Sequence, residues 1–222
     1  MRVYLKLSPP KGLIPYNYQH LLTGVIHKWL GSNKEHGDIS LYSFSNLMNA
    51  SPEKEGLSFN SGSSFFFSSF DSSLIQKLLS GIQEKPEMFE GFKVEEAILK
   101  KDPDFNNQEY FYTASPIFIK RRNGNHIDHI TYLDKKANEF LTETLRTKMK
   151  KVGILDSSME IKFDMDYPKS KTKIIHYWNG KNEIKNKTNI CPVYIKGNNE
   201  TKVFAWNVGL GNSTGIGFGA LK

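Results

Sequence analysis

Histidines stand at positions 20, 27, 36, 126, 129 and 176, and they are the residues best suited to move protons near neutral pH. One substrate needs little more than that. RNA carries its own nucleophile in the 2′-hydroxyl, so a protein can cut it by deprotonating that group, protonating the departing 5′-oxygen and offsetting charge on the phosphorane. Holding the attack in line supplies much of the remaining acceleration. A metal centre is not expected. No two histidines fall at i, i+4 on a helix with a third ligand in range, and Cys191 is the only cysteine. Asp164 and Asp166 alternate outward on a strand, as a solvated face would, and Asp102 and Asp104 sit in turn chemistry.

The second chemical stretch is Trp206 to Lys222, WNVGLGNSTGIGFGALK, with glycines at 209, 211, 215, 217 and 219. Glycine at this density marks backbone that turns through positive φ or lets a ligand approach bare amides. It fits neither standard nucleotide loop. After Gly209 and Gly211 the third position of a dinucleotide fingerprint is Thr214 with no helix to follow, and the Gly-Lys-Ser/Thr of a Walker loop is missing. A cradle for phosphates or bases, with Asn212 and Ser213 between the glycines, competes with a plain glycine-rich hairpin closing a sheet.

These residues need elements to position them. Arg2 to Leu7 alternates with the period of a half-buried strand. Tyr16 to Leu30 has the apolar spacing of a helix, whose wheel puts Tyr16, His20, Thr23 and His27 on a solvent-facing strip. Short strands follow at Leu41–Met48, Leu57–Asn60 and Ser64–Phe70, then a helix capped by Asp71 or Ser72, then a strand at Phe92–Leu99. Apart from one extra short strand between the helices, that order, β-α-β-β-α-β, is ferredoxin-like. Turn residues from Lys101 to Asn107 mark a boundary, giving domains 1–104 and 105–222. The second half begins with an extended stretch, Tyr110–Arg122, a hairpin at Asn123-Gly124 and a helix from Asp134 to near Gly153. It continues with a strand from Met159 whose Ile161, Phe163 and Met165 face inward. Strand-like runs at Lys173–Trp178, Pro192–Lys196, Thr201–Val208 and Ile216–Leu221 complete a modified copy with extra strands in place of a second helix. The fold class is therefore α+β, with tandem ferredoxin-like units.

Thirty lysines and arginines against 23 acidic residues give a net charge of +7, which favours an acidic partner such as nucleic acid. Lys120-Arg121-Arg122 is the densest cationic group, with Lys169, Lys171 and Lys173 forming a second row. The single cysteine points to a reducing compartment, and without a long apolar run neither a membrane span nor a secretory leader is expected, so the reading is cytoplasmic.

Gly209-Leu210-Gly211, five residues, then Gly217-Phe218-Gly219 resembles the G-h-G-x5-G-h-G signature of the RAMP superfamily of CRISPR RNA-binding proteins. Pro15-Tyr16-Asn17-Tyr18-Gln19 and the helix after it are similar to the opening of that superfamily's repeat-RNA-processing endoribonucleases. The resemblance implies tandem ferredoxin-like domains and metal-independent cleavage of repeat RNA without a cofactor. It implies a catalytic histidine in the loop after the first helix, which is His36, and puts His27 where some members have an assisting tyrosine. A lysine that some members carry after the loop histidine is replaced by Ile39-Ser40, leaving Lys28, Lys34 or a second histidine for charge stabilisation. Lys120, Arg121, Arg122, Gly209, Gly211, Asn212, Ser213, Gly215, Gly217 and Gly219 are the expected RNA contacts. CRISPR repeat RNA is the expected partner, with a homodimer or effector-complex subunits as further candidates. A non-catalytic RNA-binding subunit is the rival reading.

Overall fold

The computed structural model describes residues 1–31, 39–179 and 182–222. In the first half, β1 (Arg2–Leu7), α1 (Gln19–Leu30), β2 (Tyr42–Phe44), β3 (Ser63–Ser69), α2 (Ser72–Glu84) and β4 (Val94–Lys100) run in the expected order. The sheet order is β2-β3-β1-β4 with every neighbouring pair antiparallel, the ferredoxin-like arrangement. Alternation in β1 sends Val3, Leu5 and Leu7 to one face, where they meet Leu22, Ile26, Leu74 and Leu78 of the two helices. Asp71 caps α2 by accepting from the Ser73 amide at 2.8 Å.

The second half repeats this plan. Its elements are β5 (Tyr110–Phe111), the hairpin β6 (Lys120–Asn123) and β7 (His126–His129), α3 (Ala137–Lys151), β8 (Glu160–Phe163), the hairpin β9 (Lys171–Asn179) and β10 (Asn182–Ile190), β11 (Val193–Lys196) and α4 (Asn199–Val208). The sheet runs β8-β11-β5. The chain end adds a fourth edge, through paired amides and carbonyls of Tyr112 and Lys222 at 2.8 and 2.9 Å. A second core forms from Leu141, Leu145, Ile161, Val193, Ile195, Phe204 and Val208.

Three sequence readings are corrected here. Thr201–Val208 is helix rather than strand: its β-branched and aromatic content reads as strand. The Asn198 side chain nevertheless caps the turn by accepting from Thr201 N at 2.8 Å, and Phe204, Ala205 and Val208 bury one helical face. The second unit thus has its second helix, and the two hairpins are insertions rather than substitutes. Ile216–Leu221 is not a continuous strand: Ile216 closes a single helical turn, Thr214–Ile216, and only the last residues, from Ala220, pair with the sheet edge at 112–114. Met165 lies beyond the end of β8 and is exposed rather than inward.

Asp156, between α3 and β8, ties down the start of α4. It accepts from the Asn198 amide at 2.9 Å, the Thr201 hydroxyl at 2.7 Å and the Ser158 hydroxyl at 2.6 Å. Partial burial alone would raise its pKa, but the bonds from Ser158, Thr201 and Asn198 outweigh it and hold the carboxyl down to about 2. A depressed carboxylate contributes stability above the unfolded value of about 4, and loses it as pH falls toward the folded one. Asp156→Asn is therefore expected to flatten the fall of the urea midpoint between about pH 4 and 2; an acid limb as steep as that of the unsubstituted chain would refute this role.

The halves meet at Arg2. Its guanidinium lies between the rings of Phe66 and Trp206, 3.7 and 3.5 Å from their centroids, and donates to the Trp206 carbonyl. Burial lowers its pKa to about 10, which leaves it charged at neutral pH.

Candidate nucleic-acid interface

Gln19, Thr23 and His27 recur every four residues and share one face of α1. That face meets the glycine-rich tract. Gln19 Nε2 donates to the carbonyls of Ile216 and Gly217 at 3.1 and 2.9 Å, and the Thr23 hydroxyl reaches Ile216 O at 3.3 Å. His27 Nε2 lies 3.3 Å from Gly215 O, and the Tyr42 hydroxyl is 3.3 Å from the same oxygen and 3.4 Å from the imidazole. The strip expected to face solvent is thus largely covered: Thr23 is buried, because the tract lies over it, while Tyr16 remains exposed. His20 Nδ1 is buried without a hydrogen-bond partner among the described residues.

The tract is packed rather than open. Its backbone amides at Leu210, Asn212 and Gly219 donate to Gly219 O, Phe118 O and Pro116 O, so they are not offered to a phosphate. Gly217 and Gly219 have φ of 92° and 72°, and a Cβ there would overlap the Gln19 amide and the Leu210 carbonyl. Internal close approach therefore accounts for these glycines. What the tract turns outward is Asn212 and Ser213, both partly exposed.

Beside them opens a groove of about 510 Å³, walled by Ile39 and Ser40, by Lys120 and Arg121 of β6, by Glu143, Thr144, Thr147 and Lys148 of α3, and by Gly211 to Thr214. Asn212 Oδ1 accepts from the Lys120 amide at 2.9 Å, so the structure joins the cationic hairpin to the glycine tract. Lys120 and Arg122 are exposed. Arg121 is committed elsewhere: it donates to Phe140 O at 2.8 Å and Thr144 Oγ1 at 3.2 Å, pairs with Glu143 and stacks on the Phe140 ring. It holds the hairpin on α3 rather than presenting a free cation. Lys28 is also turned away, donating to Glu87 O at 2.6 Å.

Lys148 is the residue that sequence reasoning passed over. Its side chain is 4% exposed and Nζ donates to Val208 O and Gly209 O at 3.3 Å and to Thr214 Oγ1 at 3.1 Å. Burial pushes its pKa down to about 7. The signal was present, since Lys148 falls on the stripe of Leu141, Leu145 and Met149, where a lysine has to be explained.

Among the other histidines, His126 is exposed, His129 packs edge-on against Phe118, and His176 pairs with Glu183 on the β9–β10 hairpin. Burial and then Lys120 lower the His129 pKa. His36, with Lys34, lies outside the described residues; the flanking Ile39 and Ser40 stand at the groove wall. No three His, Cys, Asp or Glu side chains among the described residues come together as a metal site, and no described helix is long and apolar enough to cross a membrane.

Comparison with known proteins agrees with this architecture. No curated protein matches the sequence. A solved "CRISPR associated protein Cas6" superposes with a TM-score of 0.81 at 21% identity, over 100% of this chain and 98% of that one. A Cas6-related protein from Pyrococcus furiosus gives 0.78 at 23% identity, over 100% and 97%. A structure titled "An RAMP protein binding different RNA substrates" gives 0.78 at 22%, over 100% and 98%. These likenesses establish the fold of tandem ferredoxin-like units. The family model "CRISPR associated protein Cas6, C-terminal" matches residues 99–222, more than half of the sequence, and the chain therefore belongs to the Cas6 family of CRISPR-associated proteins.

Proposed function

We propose that this protein cuts CRISPR repeat RNA within each repeat, without a metal, leaving 2′,3′-cyclic phosphate and 5′-hydroxyl ends. The observation that carries the reading is the seating of His27 against the glycine tract, at Gly215, next to a groove that combines Lys120, Asn212 and Ser213. Family membership and the net charge of +7 support RNA as the partner. In the proposed step a base, assigned to His36, takes the proton from the 2′-hydroxyl as its oxygen attacks phosphorus. The P–O5′ bond breaks and an acid returns a proton to the leaving oxygen. His27 is the candidate for the second proton role, with Tyr42 orienting it. Residues 1–104 would supply the histidines, and 105–222 the RNA-gripping tract and hairpin.

The test is cleavage of labelled repeat RNA in excess EDTA with analysis of the product ends. One cut per repeat with a cyclic phosphate is expected. Tight binding with no cut would instead make the protein a binding subunit, in which His27 serves only to hold Gly215.

A further inference from the structure

Lys148 presents a problem of charge. An ammonium removed from water is costly unless an anion accompanies it. Lys148 Nζ has three neutral oxygens around it and no carboxylate in contact among the described residues. The charged groups that share the groove wall with it are Glu143 on its own helix and Lys120 and Arg121 on the hairpin. Glu143, the only acid in that set, is engaged by Arg121. A methionine would fill the same space without a charge, at the cost of leaving the Val208 and Gly209 carbonyls without this donor.

The position of the ammonium suggests what compensates it. Through its three bonds Lys148 pins both ends of the 209–214 segment, and Thr214, its hydroxyl acceptor, lies in the wall of the groove. An anion seated there beside Lys120, Asn212 and Ser213 would be separated from Nζ by the Thr214 side chain rather than by bulk water, and charges interact more strongly through protein than across water. We propose that the missing counter-charge of Lys148 is a phosphodiester of the bound RNA, held in this groove over Thr214. Lys148 is then a positioning residue: it sets the shape of the segment and supplies positive potential without touching the RNA. The proposal rests on the reading that the groove takes RNA.

A consequence follows for protons. With burial lowering its pKa to about 7, Lys148 in the free protein at pH 8 is mostly the amine, which keeps two N–H donors for the Val208 and Gly209 carbonyls and can accept from the Thr214 hydroxyl; a phosphate above it would restore the ammonium. Binding must then take up a proton.

The experiment is calorimetric titration of 2′-fluoro repeat RNA, which lacks the internal nucleophile, at pH 8 in buffers of different ionisation heat. The unsubstituted protein is expected to take up close to one proton per RNA. Lys148→Met is expected to take up none and to bind at least about tenfold more weakly. Lys148→Arg, with a fixed charge, should bind without proton uptake. Unchanged uptake or unchanged affinity in Lys148→Met would overturn the proposal. If that variant does not fold, NMR of the lysine amines in the unsubstituted protein decides: RNA should raise the Lys148 titration toward the ordinary lysine range, and an unmoved titration refutes it. If no RNA binds at all, the functional reading has failed instead. Inorganic pyrophosphate in the same NMR titration then tests the anion site alone, with a raised titration supporting it and none refuting it.

Discussion

His36→Ala is expected to slow cleavage of repeat RNA at least about a hundredfold while leaving RNA binding within about twofold, the pattern of a lost general acid or base. The argument is chemical. Among the groups that the resemblance brings to the reacting phosphate, only imidazoles exchange protons readily near neutral pH. A residue that merely lined the RNA path would weaken binding along with the rate. His27→Ala should show a mixed effect, because its imidazole also contacts Gly215 O and lies beside Tyr42. His27→Gln retains a hydrogen-bonding side chain, so a rate that Gln restores would assign His27 to holding the tract rather than to proton transfer. Single-turnover cleavage with saturating enzyme separates these cases. Full activity of His36→Ala would sink the assignment.

The second large effect is on stability. Gly219→Ala would place a methyl on the Leu210 carbonyl at a residue with φ of 72°. Overpacking typically costs about 1–3 kcal/mol, and a left-handed non-glycine residue about 1–2 more. A loss of about 3 kcal/mol or more is expected, a large share of the about 5–15 kcal/mol that holds a domain folded. In a chain of this size that lowers the melting temperature by roughly 6–12 °C. Gly24→Ala is the control. Gly24 is exposed on α1 with nothing within 4 Å of the added methyl, so the change should stabilise by about 0.5–1 kcal/mol. Equal melting of Gly219→Ala and the unsubstituted chain would show that the tract relaxes around the methyl.

Much of this architecture could be read from spacing alone. Alternation in Arg2–Leu7, the apolar stripe of α1 and the Asp71 cap all work locally, and the first unit emerged in its correct order. Where local and tertiary signals diverged, the reading failed. Thr201–Val208 has strand-like composition, but its side chains are sorted by burial on a helix and capped by Asn198. Asn182–Ile190 shows no apolar alternation because the residues it buries are polar. Asn189 bonds the Ile117 and Ile130 carbonyls and accepts from Tyr132 N, which no periodicity rule anticipates. The candidate site shows in the sequence as two motifs, the histidines and the glycines, but not as the contact between His27 and Gly215. Gln19, Thr23 and His27 look like a wet helical face until the tract is laid over them. Arg121 reads as a phosphate cation until α3 supplies its acceptors.

The bond from Gln19 to Gly217 joins residues 198 apart in the chain. Closing so long a loop is entropically expensive, and contacts at such separation are rewarded only after nearer ones have formed. The first helix and the glycine tract, each positioned within its own unit, therefore come together near the end of folding. Partly folded chains would carry both sets of residues with His27 not yet seated against Gly215, so the arrangement on which the proposed activity rests exists only in the completed fold.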